Sequence, residues 1–203
     1  MDNSETGKPV SENEIIIVSG LPRSGTSLMM QMLQNGGIEI VTDEVRTADP
    51  DNPRGYLEYE AVKNIGKDAS WLPQTRGKAF KMISLLLYHL PPTEQYRILF
   101  MERDPEEVVR SQEAMLQRLQ RPAAPHTEML ESFRIHLAHL RAWLETRSDM
   151  SVMSVGYRDL IEQPVMQSEK INQFLDFRLD VAQMSAAVDP SLYRNRNHVD
   201  SQG

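Results

Sequence analysis

The chain has 203 residues, 40% of them hydrophobic and 25% charged, which is enough for one sizeable core and short for two full domains. Lysine and arginine number 22 against 29 aspartates and glutamates, and the net charge of -7 argues against long-range attraction to nucleic acid or to an anionic membrane. There are no cysteines, which removes disulfides, thiolate metal sites and cysteine nucleophiles together and fits a reducing, cytoplasmic setting.

The first 14 residues are polar, with neither a basic start nor an apolar run, and read as a flexible tail rather than a signal peptide. No stretch approaches the roughly 20 continuous apolar residues of a transmembrane span, so stable membrane insertion is not expected. The expected organisation is a tail over residues 1–14, a single domain over 15–197 and a flexible C-terminus over 198–203. His136 and His139 could share a helix face, but with no third ligand nearby they read as ordinary surface or boundary residues, and no metal site is expected.

Ile15 to Val18 is a β-branched run ending at Ser19-Gly20, the pattern of a strand buried on both faces of a parallel sheet. A helix is predicted from Thr26, with Leu28, Met29, Met32 and Leu33 at helical spacing and Gly36-Gly37 ending it. "GIEIV" reads as a second short strand. The polar, turn-rich segment "TDEVRTADPDNPRGYLEYE" that follows is longer than a simple connection needs, as loops that carry chemistry often are. A helix is expected around Glu60 to Lys67, then a strand over Ala79 to Ile83 running into a short helical or irregular segment stopped by Pro91-Pro92.

Tyr96 to Met101 reads as a strand, followed by Asp104 as N-cap and Pro105 at the first position of a helix. Val108, Val109, Met115, Leu116 and Leu119 give that helix one apolar side, and Leu130, Phe133, Leu137, Leu140 and Leu144 mark a long amphipathic helix after it. "MSVMSVGY" supplies another strand and "RDLIEQP" a turn, before helices over about Val165 to Asp176 and Val181 to Val188. This alternation predicts an α/β fold of three layers, α/β/α, with a mostly parallel central sheet and a ligand at its carboxyl edge.

Gly20, four intervening residues, Gly25, Thr26 and Ser27 reproduce the outline of a P-loop, with threonine where a nucleotide hydrolase places lysine. Backbone N–H groups and the helix N-terminus can still wrap an anion. The amine that reaches the β/γ-phosphates is gone, and with it the best reason to expect ATP or GTP hydrolysis. Arg23 stands at the crown of the loop instead, where its rigid guanidinium can bridge a terminal oxyanion. Farther on, Arg103 ends a predicted strand and Ser111 lies eight residues later in the next helix. Spacing alone leaves two roles open: the pair grips one phosphate, or Arg103 pairs with Asp104 or Glu107 and Ser111 faces solvent.

"GLPRSGTSLMMQML" resembles the 5′-phosphosulfate loop of the sulfotransferases, and "ERDPEEVVRSQ" resembles their 3′-phosphate motif. "YRDLIEQP" is similar to a segment that often follows in these enzymes. "NPRGYLEYE", "FKMISLLLYHLPP" and "VDPSLYRNR" add a likeness to small bacterial sulfotransferases, so that the resemblance runs from about Ile15 to Asn197. It implies that Arg23, Ser24, Gly25, Thr26 and Ser27 cradle the 5′-phosphosulfate of 3′-phosphoadenosine 5′-phosphosulfate (PAPS), and that Arg103 and Ser111 bind its 3′-phosphate. The implied reaction passes the sulfuryl group to a hydroxyl or amine of a small-molecule acceptor and releases PAP, with no metal required.

"VTDEVR" resembles a "GEETR" segment of the protein-tyrosine sulfotransferases, which makes Glu44 the implied base; Asp43, Glu58 and His89 are the alternatives, and Arg46 could orient Glu44 or bind an anionic acceptor. Lys81 resembles a central lysine that faces the transferred group in several sulfotransferases; its other reading is an ordinary strand-edge charge. The glycine-rich "GxxGxWK" segment of better-known members is absent, and Tyr193, Arg194 and Arg196 stand near the end of the chain instead, where Arg194 and Arg196 could supplement the 3′-phosphate site. Trp71 and Leu85 to Tyr88 are candidates for an apolar acceptor wall, and a homodimer could complete the cleft. A kinase or NTPase of the same architecture, or a non-catalytic nucleotide- or partner-binding protein, are the competing readings.

Overall fold

A computed structural model describes residues 13–43, 55–189 and 191. Four strands, β1 (Glu14–Gly20), β2 (Ala79–Ile83), β3 (Gln95–Glu102) and β4 (Met150–Gly156), form one sheet in the order β2-β1-β3-β4. Every pairing is parallel: Ile17 lies opposite both Phe80 and Ile98, and Leu99 opposite Met153. The helices are α1 (Thr26–Asn35), α2 (Pro105–Arg118), α3 (His126–Leu144), α4 (Tyr157–Glu162), α5 (Pro164–Phe174) and α6 (Val181–Ala186).

The β-branched run of β1 is buried because both faces of the sheet are covered. Ile16 and Val18 project with Leu99, Met101 and Val155 into one core, against Met29 and Leu33 of α1, Leu160 of α4, Ile171 of α5 and Met184 of α6. Ile15 and Ile17 project the other way with Phe80, Met82, Ile98 and Phe100, against Trp71, Leu72, Leu87 and Leu140 of α3. Each fully buried aliphatic side chain contributes about 1.5–3 kcal/mol by leaving water. Strand order reverses beside β1, since the chain places β2 on one flank and then β3 on the other. A crevice therefore opens beyond the carboxyl ends of β1 and β3, the usual ligand position in such sheets.

Some elements depart from the sequence reading. "GIEIV" forms a lone bridge, Ile40 to Ala79, because the chain leaves the sheet at Thr42 and Asp43, whose Oγ1 and N–H donate to the Glu58 carbonyl at 2.9 and 3.2 Å. The helix expected at Glu60 to Lys67 is a tighter 3₁₀ turn over Glu60–Asn64, with the Asp43 carboxylate accepting from the Glu60 N–H. The first five residues of "RDLIEQP" belong to α4 rather than to a turn, because Leu160 and Ile161 bury themselves in the core, and its proline opens α5. In α2, burial is confined to Glu107–Val109 and Ser111, and Leu119 is 47% exposed, so its apolar side serves only the end nearest the sheet.

Candidate active site

The loop from Gly20 to Gly25 links β1 to α1 through three left-handed or otherwise special backbone positions. Gly20 has φ 152° and Gly25 φ 101°, and a Cβ at Gly20 would lie 2.4 Å from Ser24 Oγ and 2.7 Å from the Met101 carbonyl. A Cβ at Gly25 would lie 2.4 Å from the Tyr157 ring. Arg23, with φ 69°, adopts the left-handed conformation without being glycine, which costs about 1–3 kcal/mol and is typical of functional loops. The Ser24 N–H closes the turn onto the Leu21 carbonyl at 3.2 Å.

Gly25, at the N-cap of α1, brings no side chain, so the cap residue itself supplies no acceptor to the first turn of that helix. The Ser24 hydroxyl is buried and has no hydrogen-bond partner among the described residues. Buried polar atoms are ordinarily satisfied, so an unmatched hydroxyl beside an uncapped helix start marks a place where an anion would be received.

The second motif meets this loop directly. Arg23 Nε donates to Ser111 Oγ at 3.2 Å. Arg103 Nη1 donates to the Arg23 carbonyl at 3.1 Å, and its guanidinium lies 4.8 Å over the Tyr157 ring. Arg103 also pairs with Glu107 at 3.0 Å, with both side chains nearly enclosed, so one of the two roles left open by spacing is present. Ser111, however, is 3% exposed and faces the loop, not solvent. Asp104 caps α2 as expected, accepting from the Glu106 N–H at 2.8 Å, with Pro105 next. The cap fixes the phase of α2 so that Ser111, two turns on, comes round to the loop.

On the β2 side, Lys81 is buried at the sheet. Its ammonium donates to Ser27 Oγ at 3.3 Å and to the Tyr56 carbonyl, and lies 3.4 Å from the Glu58 carboxylate. Lys81 is therefore tied to the loop helix, not a strand-edge charge in solvent. Asp43 turns to the Glu60 backbone. His89 is exposed at the end of the 3₁₀ turn Ser84–His89 and packs on Gly66. Trp71 stacks edge-on with Tyr59 and Phe80 as core, Leu87 is fully buried, and Leu85 is 59% exposed, so Trp71 and Leu87 are core residues. His136 meets Ser84 Oγ at 2.9 Å, and burial, then His139, lowers its pKa. Glu44, Arg46, Tyr193, Arg194 and Arg196 lie outside the described residues.

Tyr157 was not singled out by the sequence reading, although it both presses on Gly25 and underlies Arg103. Its signal was available in "VGYRD", an aromatic residue directly after a strand-ending glycine. Among the described residues no group of three or more His, Asp or Glu could hold a metal ion, and no helix is long and apolar enough to cross a membrane.

Two arginine-bearing motifs thus meet at the carboxyl edge of a parallel α/β sheet. The family model described as "Sulfotransferase domain" matches residues 13–198, and the chain belongs to that family. The fold is similar to that of the sulfotransferase domain of the Synechococcus PCC 7002 olefin synthase, with a TM-score of 0.53 and 16% identity over 94% of this chain and 88% of that one. It is similar to a sulfotransferase of Alicyclobacillus acidocaldarius, with a TM-score of 0.52 and 15% identity over 91% of this chain and 88% of that one. Mouse sulfotransferase SULT7A1, solved in complex with PAP, matches with a TM-score of 0.50 and 17% identity over 88% of this chain and 63% of the mouse chain. No curated protein matches the sequence.

Proposed function

We propose that the protein is a PAPS-dependent sulfotransferase acting on a hydroxyl, or an amine, of a small-molecule acceptor. The observation that carries the reading is the joining of the two motifs, with Arg23 on Ser111 at 3.2 Å and Arg103 on the Arg23 carbonyl at 3.1 Å. Both ends of one nucleotide with phosphates at its 5′ and 3′ positions can be gripped there. The donor set fits such a group: an uncapped helix start, a buried unmatched hydroxyl at Ser24, and glycines that let backbone approach closely.

In this reading the loop is a P-loop variant. Ser24, Gly25, Thr26 and Ser27 hold the 5′-phosphosulfate, Arg103 and Ser111 hold the 3′-phosphate, and Arg194 and Arg196 add to the latter. When bound, PAPS supplies the sulfuryl group. Glu107 and the Arg23 carbonyl fix the plane of the Arg103 guanidinium, so little ordering is left to do on binding. Arg23 and Lys81 place two cations on the loop, where they stabilise negative charge that grows on the transferred group and the leaving oxygen.

The acceptor loses a proton as its bond to sulfur forms, and a carboxylate is placed to take it. Glu44 is the base implied by the tyrosine-sulfotransferase likeness, and Glu58 is the alternative that Lys81 holds at 3.4 Å. Residues 15–197 act as one unit, with kinship to the small bacterial enzymes resting on "NPRGYLEYE" and "VDPSLYRNR". The cysteine-free composition suits a cytoplasmic location.

Affinity for PAP and ADP measured without Mg²⁺ tests the donor. A preference for PAP of at least about tenfold that disappears in R103A and S111A is expected; equal affinity for the two nucleotides overturns the reading. Retained PAP binding with no sulfated product from a broad acceptor panel would favour a non-catalytic nucleotide-binding protein.

A further inference from the structure

A cavity of about 460 Å³ opens beside the loop, between the carboxyl end of β3 and α3. That volume suits a small organic molecule. Its apolar wall includes Leu21, Phe100 and Leu137, while Ser24 brings the loop itself into the lining. Four charged side chains at its mouth are already engaged. Arg141 donates to Glu102 at 3.0 Å, Asp104 caps α2, and Arg103 pairs with Glu107 at 3.0 Å. Arg134, on the same wall, has no hydrogen bond or ion pair among the described residues.

The cavity therefore offers an apolar body, a loop wall at one side, and a guanidinium without a carboxylate of its own. In a chain of net charge -7, such a group is a local exception to the repulsion an anion meets. We infer that this cavity is the acceptor site and that the acceptor is amphipathic: a hydroxylated apolar molecule bearing a carboxylate or another anionic group, which Arg134 receives while the hydroxyl lies towards the loop. This rests on the sulfotransferase reading. Arg134 is here a specificity-determining residue, distant in role from the donor grips at Arg103 and Ser111.

The test uses 10-hydroxydecanoic acid and its methyl ester, with equilibrium binding measured on the full chain with and without saturating PAP. The acid should bind about tenfold more tightly than the ester. R134Q should abolish the difference and R134K should keep part of it, with PAP affinity unchanged in both. Equal binding of acid and ester, no binding of either at millimolar concentration, or a preference that survives R134Q overturns the inference. Failure of PAP to bind in the same samples would instead remove the donor reading, so the two failures are told apart.

Discussion

Arg23 donates from Nε to the hydroxyl of Ser111 at 3.2 Å, joining the crown of the first loop to the second turn of α2 across 88 positions of sequence. The contact explains how a left-handed arginine is tolerated: Ser111 receives its side chain while Arg103 takes its carbonyl at 3.1 Å. Strain in the loop is thus offset by partners that belong to the other motif.

The first prediction follows from that pairing. S111A removes a hydroxyl that Arg23 uses and, in the proposed function, one that the 3′-phosphate uses. PAP affinity should fall about tenfold, with a smaller effect on turnover at saturating donor. R23A should lower turnover at saturating PAPS by a hundredfold or more, because a cation beside developing charge is worth about 3–4 kcal/mol. R23K should recover only part, since lysine lacks the planar fork. Separate KM and kcat measurements check the division; equal loss in both variants would contradict it.

Much of this arrangement was legible in the sequence, for identifiable reasons. β1 declared itself because burial on both faces demands an unbroken apolar run, and the loop because its glycines sit where only glycine fits. Asp104 and Pro105 were readable because a cap is a local device. α4 was not, since six residues with two buried side chains show no period, and a helix that short owes its existence to packing. The Arg103 to Ser111 spacing left two roles open and only the family resemblance implied a shared site; that Ser111 is met by Arg23 is a tertiary fact. Likewise, Arg134 and Arg141 on α3 look like any solvent-facing pair until β3 is seen to leave a cavity beneath them.

Gly25 gives a second prediction. Alanine there would need φ near 101° and would drive its methyl to 2.4 Å from the Tyr157 ring, which underlies Arg103. G25A should cost about 2 kcal/mol or more by combining left-handed strain with overpacking. Denaturant unfolding would measure the loss. PAP binding should fall further than stability alone explains, because moving Tyr157 moves the Arg103 guanidinium.

His126 carries the pH dependence. Its Nε2 meets Glu106 at 2.9 Å and its Nδ1 meets Glu113 at 3.1 Å, so the first residue of α3 clasps two carboxylates of α2. The hydrogen bond to Glu106, then that to Glu113, raises its pKa above the ordinary 6.5. A raised pKa means the folded state holds the proton more tightly. The contribution is therefore fully present below pH 6.5 and is lost as pH rises through the raised value. Wild type should melt slightly higher than H126A at pH 5.5, and the gap should close by pH 9. A gap that is constant across this range would show that His126 acts only by packing.

The contact between Glu58 and Lys81 makes the choice of base testable. Lys81 is fixed by Ser27, by the Tyr56 carbonyl and by Glu58 at 3.4 Å, so a change at Glu58 acts on a buried ammonium beside the loop as well as on any proton it accepts. Two outcomes separate these roles. If Glu58 is only the partner of Lys81, E58Q keeps a hydrogen-bond acceptor and should lower kcat less than about tenfold with the pH profile unchanged, while E44Q lowers it a hundredfold or more. If Glu58 is the base, E58Q takes the hundredfold loss and removes the acidic limb of the kcat profile, and E44Q is nearly silent. K81A should be severe in both cases, since it removes the buried ammonium that, in the proposed function, meets the charge growing on the transferred group, and that lies 3.4 Å from Glu58. The implied assignment to Glu44 predicts the first pattern, and measuring kcat against pH for the three variants decides it.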